Sequence, residues 1–195
     1  MIVEPVTLEG RFVRLEPLAM AHHAALCEAG LDDAIWRYMP QPLRTPEDMR
    51  AFIEAALEAQ AAGAALAFAT VEKASGRAVG STRFFNIDRT HRRLEIGWTW
   101  LGLAWQRTAA NTEAKYLMLA HAFERLDCIR VEFKTDSLNE RSRAAILRLG
   151  AKEEGTFRNH MIMPDGRLRH SVYYSIIGAE WPEVKARLET KLAAR

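Results

Sequence analysis

Cysteine is nearly missing from this chain: among 195 residues only Cys27 and Cys128 occur. Two thiols so far apart give neither a disulfide framework nor the close spacing of a structural metal site. Long apolar runs are missing too. The longest uncharged stretches, such as Ala59–Val71, are alanine-rich and broken by polar residues, and fall short of the ~20 strongly apolar residues a membrane helix needs. The opening Met1-Ile2-Val3-Glu4-Pro5 lacks the basic start and apolar stretch of a secretory leader, so a protein of the reduced cytoplasm is expected. Charge of one sign is also scarce. A net charge of +2 gives no field that would argue for nucleic acid, and the basic clusters Arg89–Arg93 and Arg141–Arg148 read as solvated faces. There is no repeat, no low-complexity tract and no linker rich in proline, glycine or serine, which predicts a single domain over residues 1–195. What is present, 49% hydrophobic and 27% charged residues, suits one sizeable core.

The periodicities predict an α+β, mixed-sheet fold. Phe12–Leu15 alternates as a short strand, and a helical pattern runs from about Leu18 to Gly30. Thr45-Pro46-Glu47-Asp48 opens a second helix with a hydroxyl cap, a proline in the first turn and two acids at the positive end; it runs to about Gly63. Leu66–Val71, Ala78–Ile87 and Leu94–Leu101 read as strands. In the third, alternation groups Leu94, Ile96, Trp98 and Trp100 on one face and Glu95, Gly97 and Thr99 on the other. Asn111–Leu126 is the strongest helix, Ile129–Thr135 a strand, and Asn139–Leu149 an arginine-rich helix closed by Gly150. Two strands, Thr156–Met163 and Leu168–Ile177, flank the turn at Pro164-Asp165-Gly166, and a helix over Trp181–Leu192 follows.

The chemically informative stretch is Trp105–Glu113, between a strand and the strongest helix. Free backbone N–H groups and the positive helix end suit a phosphate or pyrophosphate there. A plain connecting loop with Asn111 as the helix cap is the competing reading.

Leu94-Glu95-Ile96-Gly97-Trp98-Thr99-Trp100-Leu101, followed by Gln106 and a long apolar helix, resembles the central motif of the acetyl-coenzyme-A-dependent (GCN5-related) N-acetyltransferases. The family's loop reads Gln/Arg-x-x-Gly-x-Gly/Ala. Here it stands as Gln106-Arg107-Thr108-Ala109-Ala110-Asn111, with alanine at the first glycine position and asparagine at the second. Alanine resists positive φ, while the Asn111 amide is itself a donor. Downstream, Asn139-Glu140-Arg141-Ser142 through Leu149-Gly150-Ala151 is similar to the family's Asn-x-x-Ser/Ala helix ending in Leu-Gly-Phe. Asn139 with Ser142, Arg14–Leu18 and the Pro164-Asp165-Gly166 turn resemble the branch that acetylates ribosomal-protein N-termini. The resemblance spans roughly Leu8 to Trp181.

That resemblance implies a central, mostly antiparallel twisted sheet of about seven strands flanked by helices, acetyl-coenzyme A as co-substrate and an amine acceptor, either a small molecule or a protein N-terminus. It implies that the backbone of Trp98, Thr99, Trp100 and Leu101 pairs with the pantetheine arm. Gln106, Arg107, Thr108, Ala109, Ala110, Asn111 and Thr112 would hold the pyrophosphate, with Asn139, Ser142 and Arg143 completing the coenzyme site. No metal, membrane or nucleic-acid partner is implied, and a homodimer is left open.

For catalysis, Glu95 is the first candidate base, since burial would raise its pKa; its competing role is a cross-sheet ion pair with Arg83 or Arg93. His160 is the alternative base. The helix position that often carries a tyrosine acid is Ile146, so Ser142, one turn earlier, is the candidate at the departing sulfur. Two other functions stay on the table: a coenzyme-A-binding protein without efficient transferase activity, and an RNA- or ribosome-binding module built on the two arginine clusters.

Overall fold

The computed structural model describes residues 1–195. Eight strands form one sheet in the order β1-β2-β3-β4-β5-β6-β8-β7: β1 Leu8–Glu9, β2 Val13–Pro17, β3 Ala65–Glu72, β4 Arg77–Asp88, β5 Arg93–Leu101, β6 Arg130–Asp136, β7 Lys152–Ile162 and β8 Leu168–Ile177. All neighbours are antiparallel except β5 and β6. The additional strand relative to the sequence expectation is β1, two residues too short to carry a period.

The helices are α1 His23–Gly30, α2 Asp33–Trp36, α3 Pro46–Ala61, α4 Ala109–Glu124, α5 Glu140–Leu149 and α6 Trp181–Ala193. The α3 start follows its sequence. The Thr45 hydroxyl accepts from the Asp48 N–H at 3.1 Å, and the Asp48 carboxylate accepts from the Thr45 N–H at 2.9 Å, a reciprocal cap. The α5 end does likewise, with Gly150 at φ 109° in the left-handed region that glycine adopts freely.

The sheet separates two cores. Val13, Leu15, Phe68, Phe84, Leu94 and Ile96 pack under α4, α5 and α6, while Ala67, Ala69, Trp36, Phe52 and Trp100 pack with α1 and α3. The helix α4 is held by charge as well as by its apolar stripe. Glu113 is buried, and its carboxylate accepts from the N–H groups of Arg11, Phe12 and Val13 at 2.6–2.8 Å. Tyr116, Leu117 and Ala120 on the same helix are only half-buried. No helix is long and apolar enough to cross a membrane.

One sequence expectation fails instructively. Ser81 faces Trp100 and Arg83 faces Gly97, so Thr82 opposes two residues of β5, and Trp98 sits at φ 50°. This β-bulge adds one residue and turns every later side chain over. Trp98 and Trp100 therefore join the α1/α3 core, away from Leu94 and Ile96, whereas Thr99 points to α4.

Candidate active site

The parallel ladder between β5 and β6 lasts three pairs, Arg93 with Arg130, Leu94 with Val131 and Glu95 with Glu132. Past them the strands part, and the β6-facing backbone groups of the outer half of β5 have no ladder partner. The bulge at Trp98 lies in this parted half.

Glu95 stands at the apex of the wedge and is 1% exposed. Neither expected ion pair forms: Arg93 reaches Asp88 at 3.2 Å and Glu132 at 3.1 Å, and Arg83 has no carboxylate partner. Instead Asn86 donates its side-chain N–H to Glu95 at 3.0 Å, with the Lys134 ammonium at 3.9 Å. Asn86 reaches it through a second bulge on β4, between Phe85 and Asp88, where it takes φ 49°; asparagine tolerates that region better than most residues. Burial pushes the Glu95 carboxyl above its ordinary range, and Lys134 and Asn86 pull it partly back. His160 lies on β7 with its Nδ1 3.0 Å from the Ser171 hydroxyl, beside the rings of Phe157 and Tyr173. Burial, then Lys134 and Arg169, lower its pKa. It lines an open hollow of about 690 Å³ with Phe157, Arg158, Asn159 and His170.

At the wide end of the wedge, the N-cap of α4 is Thr108 and not Asn111: its hydroxyl accepts from the Ala110 N–H at 3.2 Å. Ala109, Ala110, Asn111 and Thr112 thus form the first helical turn. The positive φ of this loop falls on Arg107, at 64°, so Ala109 need not adopt it. No acid occupies the first turn of α4, whereas α3 has Glu47 and Asp48 and α5 has Glu140. The helix end is left electrostatically open to an anion. Gln106 ties the wedge together: its amide donates to the Leu101 carbonyl at 2.9 Å and its oxygen accepts from Arg141 on α5.

On the β6 side, Asn139 caps α5 by accepting from the Ser142 N–H at 3.1 Å, and the Ser142 side chain is half-exposed. Arg143 points elsewhere, to the Tyr174 hydroxyl at 3.1 Å, the Ser137 carbonyl and Glu153. Ile146 is buried in the α4 core. Trp36 is core, donating to the Gly30 carbonyl at 2.6 Å. Both thiols are free, and burial pushes Cys128 up to about 11.

Sequence reasoning missed three groups here. Lys115 is buried on α4, its ammonium 3.0 Å from the Thr82 hydroxyl and 2.5 Å from that of Thr99, directly under the bulge; burial lowers its pKa to about 7. Asp136, at the end of β6, is buried and paired with Arg167 at 2.6 Å. Arg83 is the third. A buried charge carries no local signal on a helix or a strand: Lys115 and Asp136 went unnoticed, and Arg83 was named only as an ion-pair partner for Glu95.

An open mixed sheet whose one parallel pair parts beside a bulge, with an acid-free helix end at its mouth, leaves a place between strands that suits an extended, anion-tipped ligand. Comparison with known proteins gives the family. The family described as acetyltransferase (GNAT) domain matches residues 13–152, and the chain belongs to that family. The class of enzyme is therefore an N-acetyltransferase, and the family's acetyl donor is acetyl-coenzyme A. The chain is similar to a GCN5-related N-acetyltransferase from Brucella melitensis, with 31% identity and a TM-score of 0.91 over 97% of this chain and 86% of that one. It is 33% identical over 106 residues to YdaF of Bacillus subtilis, a protein named provisionally as a ribosomal N-acetyltransferase; that match spans 54% of this chain and 57% of YdaF. The fold is shared with Mycobacterium smegmatis RimJ in complex with CoA-disulfide, at 23% identity and a TM-score of 0.82 over 96% and 95% of the two chains.

Proposed function

We propose that this chain transfers the acetyl group of acetyl-coenzyme A to a primary amine, that of a small molecule or of a protein N-terminus. The observation that carries the reading is the wedge itself, with a buried, proton-seeking carboxylate at its apex and an uncompensated helix end at its mouth.

The residues present fit the donor. The first turn of α4, Ala109–Thr112, offers N–H groups to a pyrophosphate, with Arg107 and Arg141 exposed beside it. The β6-facing backbone groups of Trp98–Leu101, apart from the Leu101 carbonyl that Gln106 takes, offer strand-like hydrogen bonds to an amide-bearing arm, and an N–H at the bulge is the candidate donor to the thioester oxygen as charge gathers there. Glu95 takes a proton from the acceptor ammonium through water, so that a neutral amine attacks; the new C–N bond forms as the C–S bond breaks. Ser142 meets the departing thiolate with one hydrogen bond, and water delivers the proton. Arg143 supports α5 rather than the coenzyme in this arrangement, since its donors are already engaged.

Thiol release from acetyl-coenzyme A over a panel of amines and N-terminal peptides tests the reading. Coenzyme A that stabilises the protein against heat, with no thiol released for any amine, would instead mark a binding protein. Two variants locate the parts. Ala109→Val places a branched side chain against the first-turn N–H groups and should weaken coenzyme affinity about tenfold, a loss of about 1.4 kcal/mol; unchanged affinity by calorimetry moves the pyrophosphate elsewhere. Ser142→Ala keeps the helix, alanine being the better helix former. One lost hydrogen bond of about 1–2 kcal/mol should lower kcat roughly 5- to 30-fold, and wild-type turnover would remove Ser142 from the site.

A further inference from the structure

The buried charges of this protein are satisfied, with one exception. Glu113 has three backbone N–H groups, Asp136 has Arg167, Lys115 has two threonine hydroxyls, and Arg169 has the Ser171 hydroxyl at 3.2 Å and the Tyr38 carbonyl at 3.5 Å. Arg83 on β4 has nothing. Its side chain makes no hydrogen bond and no ion pair, its Nε is buried without a partner, and the residue is 8% exposed. Burial lowers its pKa to about 10.

What surrounds it is aromatic. The guanidinium carbon lies 4.9 Å from the centre of the Phe52 ring on α3 and 4.8 Å from that of Trp98 in the bulge. Two ring faces hold a cation without engaging its in-plane donors, so the edge of the guanidinium stays free. An uncompensated charge in such surroundings costs several kcal/mol, and the fold does not repair that cost with any of its own carboxylates.

The position is informative. Arg83 faces Gly97 as Phe85 faces Glu95. Arg83 is thus the diagonal neighbour of the base across the β4–β5 pair, on the face that also holds Trp98. Diagonal same-face neighbours are about 7–8 Å apart, which is within the span of a small amino acid.

Resting on the transferase reading above, we infer that Arg83 is the anchor for a carboxylate on the acceptor, so that the acceptor is an amine with a carboxylate a few bonds away. The guanidinium forks onto the two oxygens, and the amine is thereby held on the Glu95 side of the bulge. Two sources share this chemistry: the α-carboxylate of a free amino acid, and the side-chain carboxylate of an acidic residue beginning a peptide.

The test compares kcat/KM within pairs that differ only in the carboxylate: alanine against alaninamide, and a peptide beginning with aspartate against the same peptide beginning with asparagine. Wild-type protein should favour the acid of at least one pair by about 100-fold, the scale of a desolvated charge pair; the pair that discriminates identifies the source. Arg83→Met should collapse that ratio to under about threefold. It should also raise Tm without ligand, because it removes a buried unpaired charge, whereas a structural arginine would lower Tm when replaced. Acetylation with no preference in either pair overturns the inference, as does a preference that survives in Arg83→Met. If no amine releases thiol, the transferase reading fails; the inference is then judged on heat stability alone, and an Arg83→Met protein melting below wild type overturns it.

Discussion

Glu95→Gln should lower kcat near neutral pH by roughly 100- to 10,000-fold, the range of a positioned general base, while coenzyme affinity stays within about twofold. Glutamine matches the carboxylate in shape and can still accept from Asn86, so the change removes proton affinity and little else. The pH profile separates chemistry from packing. Burial holds the Glu95 carboxyl above 4.5, so the wild-type rate should fall on the acidic side through that raised value, and the acidic limb should vanish in the variant. Stability points the other way. A carboxyl whose folded pKa is raised binds more protons folded than unfolded above 4.5, so its ionisation costs stability as pH climbs through the raised value. At pH 7 the wild type bears that cost and the glutamine variant does not, so the variant should melt no lower. A drop in kcat under about threefold, in a folded variant with a known acceptor, would return Glu95 to a structural role.

Lys115→Met should stabilise the protein, and by an amount that depends on pH. The Lys115 pKa falls from 10.5 to about 7 because the ammonium is fully desolvated. Between about 7 and 10.5 the unfolded chain holds this proton and the folded one sheds it, so stability from this group rises with pH across that window. Below about 7 both states are charged and the whole cost is present, on the order of 5 kcal/mol. Methionine has similar length and no charge, and Thr82 and Thr99 still bond each other at 2.8 Å when the ammonium is gone. Urea unfolding at pH 6 should therefore show the variant more stable by a few kcal/mol, and the gap should close toward pH 10. A variant less stable at pH 6 would mean that the ammonium carries the bulge.

The legible parts of this fold were those written locally. Thr45-Pro46-Glu47-Asp48 begins α3 where its caps say, Asn139 and Gly150 bracket α5, and β8 runs over Leu168–Ile177, after the Pro164-Asp165-Gly166 turn that marks its start. The family resemblance assigns Glu95, the α4 loop and the α5 start to one site; the structure sets Glu95 where β5 and β6 part and ties the α4 loop to α5 through Gln106 and Arg141. What stayed hidden depends on neighbours in space. The bulge at Trp98 rests on a bulky residue at positive φ, where no glycine or asparagine announces it, and it reverses the faces that strict alternation assigns. The α4 cap lies three residues earlier than Asn111, because both Thr108 and Asn111 are good caps and packing chose between them. Arg83, Lys115 and Glu113 are charged residues in cores, and composition reads every such residue as surface.

Three residue pairs are all that join β1–β5 to the β6, β8 and β7 half of the sheet. Each half is antiparallel within itself, so each keeps its own ladder if the seam between them yields. The core under α4 spans the seam with side chains, but the backbone hardly does. A ligand lying between the parted strands touches both halves, and its binding free energy adds to their cohesion as it would to that of a dimer. Amide exchange along the outer half of β5 and the facing half of β6 should then register occupancy more strongly than any other strand, with protection spreading outward from Glu95. The proposed place of the chemistry is thus also a seam that three residue pairs hold.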